Sequence, residues 1–182
     1  MDATNVTTGV RTSLGGVYRA PLGTALPTDA TTALNEAFKD MGYISEDGIT
    51  IARSVESQDI KEWGGATVQI VQTSKDVTVA MKAIEVLNAD TIKAVYGADN
   101  VTGTLATGLA VTENDDEPEE ASWVIEMITN SGANSRVVIP RGKISELGDE
   151  VYKRDEAVGY DMTIACLPDA TGAKMYKYIK NA

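Results

Sequence analysis

The sequence predicts a mainly β fold, a β-sandwich or open barrel with one or two short helices. Stretches of alternating apolar and polar residues recur along the chain, most regularly at Val158, Tyr160, Met162, Ile164 and Cys166. Turn residues separate such stretches, as at Asn130–Asn134 and Pro168–Gly172. Helical spacing is confined to two short segments, and no strand–helix–strand rhythm appears. The 182 residues, 43% of them apolar, suffice for one domain with a real core and exclude disorder by composition.

Residues 1–16 (MDATNVTTGVRTSLGG) are polar, threonine-rich and aperiodic. They read as an N-terminal arm ahead of a single β domain over 17–182. From Val17 the chain starts extended, because Ala20-Pro21 and Leu26-Pro27 push the residue before each proline out of helical space. Thr28 and Asp29 offer caps for a helix. Ala30, Ala33, Leu34, Ala37, Phe38 and Met41 form its apolar face and Gly42 its stop. Glu46-Asp47-Gly48 then turns into a strand that begins at Ile49 and Ile51 and is extended by Val55.

Asp59–Gly65 reads as a loop. Its Trp63 is either a core residue or an anchor for a partner's pocket, and the charged neighbours favour the anchor. Ala66–Ser74 and Val77–Val86 read as a hairpin about Ser74-Lys75-Asp76. Val77, Val79, Met81 and Ala83 share one face of its second arm; Thr78, Ala80, Lys82 and Ile84 share the other, only half polar. Asn88 or Asp90 caps a two-turn helix, Ala89 to Tyr96, ended by Gly97.

Thr104–Thr112 alternates as a strand. Glu113–Glu120 follows with six carboxylates in eight residues. Calcium binding is the functional reading of that run, but the spacing does not match an EF-hand loop, and a solvated loop is the better reading. Ser122–Thr129 and Ser135–Ile139 flank a hairpin turn, with Trp123, Ile125 and Met127 opposite Val124, Glu126 and Ile128. Pro140-Arg141-Gly142-Lys143 breaks the run, and Ile144–Ala157 reads as a loop. After the Val158–Cys166 strand, Pro168–Gly172 turns the chain back into a closing strand, Ala173–Lys180.

The chemistry available is narrow. Histidine is absent, which removes Ser-His-Asp and Cys-His catalysis and histidine-based zinc sites. No catalytic, cofactor or metal-binding set is expected, and the protein is expected not to be an enzyme. The single cysteine, Cys166, sits in an apolar run and reads as a buried structural thiol in a protein assembled in a reducing cytoplasm. No secretory leader and no membrane span is expected. The net charge of −11 and the absence of a basic stripe argue against a nucleic-acid-binding module. A wall past which a duplex must slide is a different case, because phosphate contacts there would act as brakes.

Several segments together resemble the major tail proteins, the tail tube subunits of long-tailed, siphovirus-type bacteriophages, those of actinobacterial hosts in particular. They are Ala20-Pro21-Leu22-Gly23-Thr24, Leu26-Pro27-Thr28-Asp29-Ala30, Gly42–Gly48, the Trp63-Gly64 turn, Glu85–Asn88 with the helix to Tyr96-Gly97, and the closing Pro168–Gly172 turn with its tyrosine-rich strand. The resemblance implies a virion protein without enzymatic activity, assembled in the host cytoplasm as hexameric rings stacked into a hollow tube for genome delivery. It implies self-association, contacts with the tape measure, tail terminator and distal tail proteins, and passage of double-stranded DNA without sequence-specific binding. Tyr18, Pro21, Tyr43, Asp47, Trp63 and Tyr96 are expected at subunit contacts. Gln69, Gln72, Thr78, Lys82 and Glu126, on the hairpins Ala66–Val86 and Ser122–Ile139, are expected to face the lumen. Two rival readings are a tail terminator or capsid decoration protein, and a non-viral β-sandwich binding module.

Overall fold

The computed structural model describes residues 6–11 and 16–181. The fold is mainly β, with antiparallel sheets that do not close into a barrel. The strands are β1 (Gly9–Arg11), β2 (Val17–Pro21), β3 (Lys39–Asp40), β4 (Ile44–Lys61), β5 (Thr67–Ala83), β6 (Val101–Thr104), β7 (Gly108–Val111), β8 (Ala121–Thr129), β9 (Asn134–Leu147), β10 (Tyr160–Leu167) and β11 (Tyr176–Lys180). Nine of them form one sheet in the order β3-β2-β8-β9-β10-β5-β4, with β1 also on β8 and β11 also on β9. The ends of this sheet, β3 and β4, are joined by only Met41–Tyr43, so the sheet is curled around its core. That core gathers Trp123 and Ile125 of β8, Val137 and Ile139 of β9, Met162, Ile164 and Cys166 of β10, and Val77, Val79, Met81 and Ala83 of β5. The open, sandwich-like architecture matches the fold class expected from the alternation.

The helix α1 (Ala89–Tyr96) is the one helix among the described residues. Asn88 caps it, its side chain accepting from the backbone N–H of Asp90 and Thr91. Thr91 is fully buried and donates its hydroxyl to the Met41 carbonyl at 2.9 Å, which fixes the helix against the β3–β4 link.

The helix expected from Ala30 does not form. Asp29 does cap, its carboxylate accepting from the Thr32 hydroxyl and from the N–H groups of Thr32 and Thr31, which lowers its pKa to about 2. The carbonyls that would continue a helix are taken elsewhere. Arg136 of β9, almost fully buried, donates to the carbonyls of Asp29 and Thr32 at 2.8 Å each and pairs with Glu126. Tertiary contacts therefore override a weak propensity in a stretch with two β-branched threonines. The apolar residues are still buried. Phe38 joins Ala20, Val124 and Val138 in a second cluster on the outer face of β8 and β9.

Four further expectations are corrected. Ser74-Lys75-Asp76 is no turn: β5 runs straight through it, pairing these residues with Glu56, Val55 and Ser54. None of the three demands a left-handed backbone. The reversal falls at Glu62–Ala66 instead, where Gly65 has φ +90°, so β4 and β5 form one long hairpin and the Asp59–Gly65 loop shrinks to its tip. The Thr104–Thr112 strand is a separate hairpin, β6–β7, because Gly103 and Gly108 both adopt positive φ and bring the backbones too close for a Cβ at Gly103.

Pro140 does not break β9, which continues to Leu147 into the expected loop. A bulge opposite Ser122 absorbs it, and the Ser122 hydroxyl donates to the Pro140 carbonyl. Finally, Pro168–Gly172 does not reverse the chain. Both β10 and β11 run antiparallel to β9, end to end along the same edge, so the segment between them is an excursion. β1 and β2 lie along β8 in the same manner. Of the arm expected over 1–16, residues 1–5 and 12–15 lie outside the described residues.

Candidate assembly surface

Beyond Arg53 and Asp76 the β4–β5 hairpin leaves the domain as a two-stranded ribbon, nearly every residue of which is exposed. Roughly eight residue pairs at about 3.3 Å per residue give it a reach of about 25 Å. The register assigns its faces. Ile60 and Val71 stand with Gln58 and Gln69 on one side; Ile70 stands with Ser57, Asp59 and Gln72 on the other. Both faces thus carry exposed apolar side chains, Ile70 at 65% and Ile60 at 46% relative exposure. β4 has no strand on its outer side, and β5 loses its second neighbour beyond Val77. The tip is rigid. Glu62 donates its N–H to the Ala66 carbonyl and accepts from that residue's N–H through its carboxylate, whose pKa is lowered by the backbone N–H groups of Gly64 and Ala66. Trp63 projects from this tip fully exposed.

The sheet side from which the ribbon springs is plain in another way. On the face away from the core, Thr50, Ala80 and Thr163 align in one row across β4, β5 and β10. Ala52, Thr78 and Ala165 align in another. These six side chains are small and uncharged, exposed on β4 and half-buried on β5 and β10; the same rows end on β9 at Glu146 and Lys143.

An exposed two-stranded ribbon with apolar side chains on both faces is suited to assembly. Among the described residues no group of three or more histidine, cysteine or acidic side chains could hold a metal ion. Cys166 is buried, and burial pushes its thiol up to about 11. The sequence profile of the phage tail tube protein family matches residues 2–182. The chain belongs to that family. No match was found among curated proteins. As a tail tube protein it is a structural component of the virion, assembling with other tail proteins into a tube. No helix among the described residues is long and apolar enough to cross a membrane.

The structure distributes the residues expected at subunit contacts unevenly. Trp63 is at the ribbon tip and Asp47 is exposed near the start of β4, accepting from the Ser45 hydroxyl. Pro21 ends β2, its carbonyl capped by the hydroxyl and N–H of Thr24. Tyr43 is half-exposed, its N–H held by the Glu85 carboxylate at 2.9 Å. Tyr18 and Tyr96 belong to the subunit's own packing. Tyr18 lies against the second cluster, and burial, then Glu126 and Asp40, raises its pKa. Tyr96 donates to Glu150 and meets the Tyr160 ring edge-on, its pKa raised first by burial and then by Glu150.

The residues expected toward the lumen also divide. Thr78 and Lys82 lie on the face of β5 away from the core, where Lys82 approaches Glu156 at 3.6 Å. Gln69 and Gln72 lie farther out, on opposite faces of the ribbon. Glu126 is paired with Arg136 on a hairpin buried on both faces. Sequence reasoning missed Ile60, Val68 and Ile70 as a unit, because it assigned them to a loop and to a hairpin with the wrong turn. The two glycines after Trp63 were the available signal.

The acidic segment is the solvated loop expected, but half of it is pinned. Glu117 pairs with Lys143, Glu119 with Arg19, and Glu120 with Arg141. These ties strap the loop across the start of β8 to the strands on either side.

Proposed function

We propose that the protein polymerises as stacked rings of six subunits into a hollow conduit through which the phage genome is delivered. The observation that carries this reading is the β4–β5 ribbon. A two-stranded arm with apolar residues on both faces and open backbone edges is poorly stable alone in water, and neighbouring copies would cover it. Contacts that do not close on themselves build filaments, and the tail tube family supports such an assembly. The ring number follows from the family likeness alone.

In this reading the face of β4, β5 and β10 away from the core lines the lumen, with Thr78 and Lys82 on it and Gln69 and Gln72 nearer the ribbon end. Pro21, Tyr43, Asp47 and Trp63 meet neighbouring subunits. The small uncharged rows offer DNA phosphates few holds and Lys82 already faces Glu156, so the duplex would slide rather than bind. The tape measure protein occupies the lumen before the DNA, and terminator and distal tail proteins close the ends. Assembly takes place in the host cytoplasm, and no chemical step is involved. Negative-stain microscopy of the purified protein, concentrated in moderate salt to screen its self-repulsion, is the test. Hollow tubes with a regular axial repeat are expected. Single rings that never stack would favour a terminator, and a persistent monomer would refute unaided polymerisation.

A further inference from the structure

The ribbon's root holds a concentration of positive charge that an acidic protein has little reason to keep. Arg53, Lys75 and Lys174 surround a notch of about 450 Å³ whose floor is Val77 and whose wall is the Gly172–Met175 excursion. One carboxylate, Asp76, answers three cations: Lys174 lies 3.1 Å from it and also donates to the Lys75 carbonyl. Among the described residues neither Arg53 nor Lys75 enters an ion pair.

A complementary charge begins at Glu113, toward the Tyr160 end of β10 and away from the notch. The first half of the acidic loop has no cation: Glu113 and Asp115 make no ion pair among the described residues, whereas Glu117, Glu119 and Glu120 each have one. Asn114 holds this half in place, exchanging hydrogen bonds of 3.0 Å with Asn100, which in turn donates to the Tyr96 carbonyl. Tyr96 stands against Tyr160, at the start of β10, while the notch adjoins the far end of that strand. Tyr160 and the notch end of β10 are separated by roughly 20 Å at about 3.3 Å per residue.

We propose that the Arg53–Lys75–Lys174 notch seats the Glu113–Asp115 half-loop of a second copy of this chain, as the head-to-tail contact between successive layers. The argument is charge complementarity placed toward opposite ends of β10. A patch and its complement so arranged cannot satisfy each other within one subunit, and between copies they propagate without closing. In subunits of net charge −11, a specific attractive pair also sets the register of stacking against general repulsion. The proposal rests on the stacked-tube reading above.

The test compares full-length wild type with Arg53→Glu/Lys75→Glu, with Glu113→Lys/Asp115→Lys, and with all four changes together. All four positions are exposed, and thermal melts check each fold. The milder Arg53→Gln/Lys75→Gln pair substitutes for the notch reversal if that reversal unfolds. Each reversal alone is expected to raise the critical concentration for tubes at least about tenfold, and the combination to restore it to within about threefold. Carbodiimide coupling of wild-type tubes mixed from isotope-labelled and unlabelled protein should join Lys75 or Lys174 to Glu113 or Asp115 between copies. Unchanged assembly of both reversals, with no such link, overturns the notch contact and leaves the tube standing. A wild type that forms no tubes overturns both readings together. Retention of a short DNA duplex that the notch reversal abolishes would make the notch a phosphate site and also overturn the proposal.

Discussion

Replacing Ile60 and Ile70 with serine should separate assembly from folding. In the free subunit Ile60 is 46% and Ile70 65% exposed, and the ribbon that carries them touches almost nothing else in its own chain. Fully burying an isoleucine side chain contributes about 1.5–3 kcal/mol, so covering what remains exposed of each is worth roughly 1–2 kcal/mol. The pair together then contributes about 2–4 kcal/mol per subunit, or roughly 30- to 1000-fold in the association constant. The critical concentration for tubes, read by sedimentation and checked by microscopy, should rise by a factor in that range. The subunit itself should melt within about 2 °C of wild type, since surface substitutions away from packed features change stability by about 0.5 kcal/mol or less. Tubes forming at the wild-type concentration from a folded double variant would refute the idea that the ribbon's apolar faces are buried on assembly.

Arg136→Ala leaves Glu126 without its buried partner and frees the carbonyls of Asp29 and Thr32, so it should cost about 3–5 kcal/mol in urea unfolding. Arg136→Met with Glu126→Leu should recover most of that loss; a double variant as unstable as the single would contradict this account. Asp169 accepts from the Tyr176 and Thr171 hydroxyls and from backbone N–H groups, and its pKa is lowered to about 2. Its stabilising contribution is therefore complete above the ordinary carboxylate pKa near 3.9 and is lost as pH falls toward 2. Asp169→Asn should flatten the fall in stability over that window and change little of its slope at neutral pH, as urea titrations at several pH values would reveal. Cys166 should resist alkylation by iodoacetamide at pH 8 in the folded protein and react at once in denaturant, because it is buried and its thiol is pushed up to about 11. Rapid labelling under native conditions would place the thiol outside the core.

Local features that act over a few residues could be read without coordinates. Asn88 at the start and Gly97 at the end delimit α1, because capping and helix termination are decided by adjacent atoms. The alternation Tyr160–Cys166 is a core strand, and Trp123 and Ile125 share a face as their spacing requires. The likeness carried by Ala20–Thr24, Leu26–Ala30 and Gly42–Gly48 also stood in the sequence, and the family match over residues 2–182 agrees with it. What failed was every judgement that turned on a partner far away in the chain. Leu34, Phe38 and Met41 announced an apolar face, but a helix and a docked loop can bury the same residues. A guanidinium 104 residues distant decided between them by occupying the Thr32 carbonyl.

The sequence by itself determined the class of the molecule: a mainly β chain with one or two short helices, no histidine chemistry and a tail tube likeness. Alternation, capping and residue inventory are properties of neighbours, so no fold need be known to read them. Only the tertiary structure decided which strand pairs with which. β5 continues through Ser74–Asp76 because β4 lies opposite to accept it, and β11 extends β10 because β9 offers a single unbroken edge to both. The assembly surface belongs to this second kind. Ile60 and Ile70 stand on opposite faces of an unsupported ribbon only because the chain reverses at Gly65 and not at Lys75, and pairing register is a property of two strands that neither one states alone.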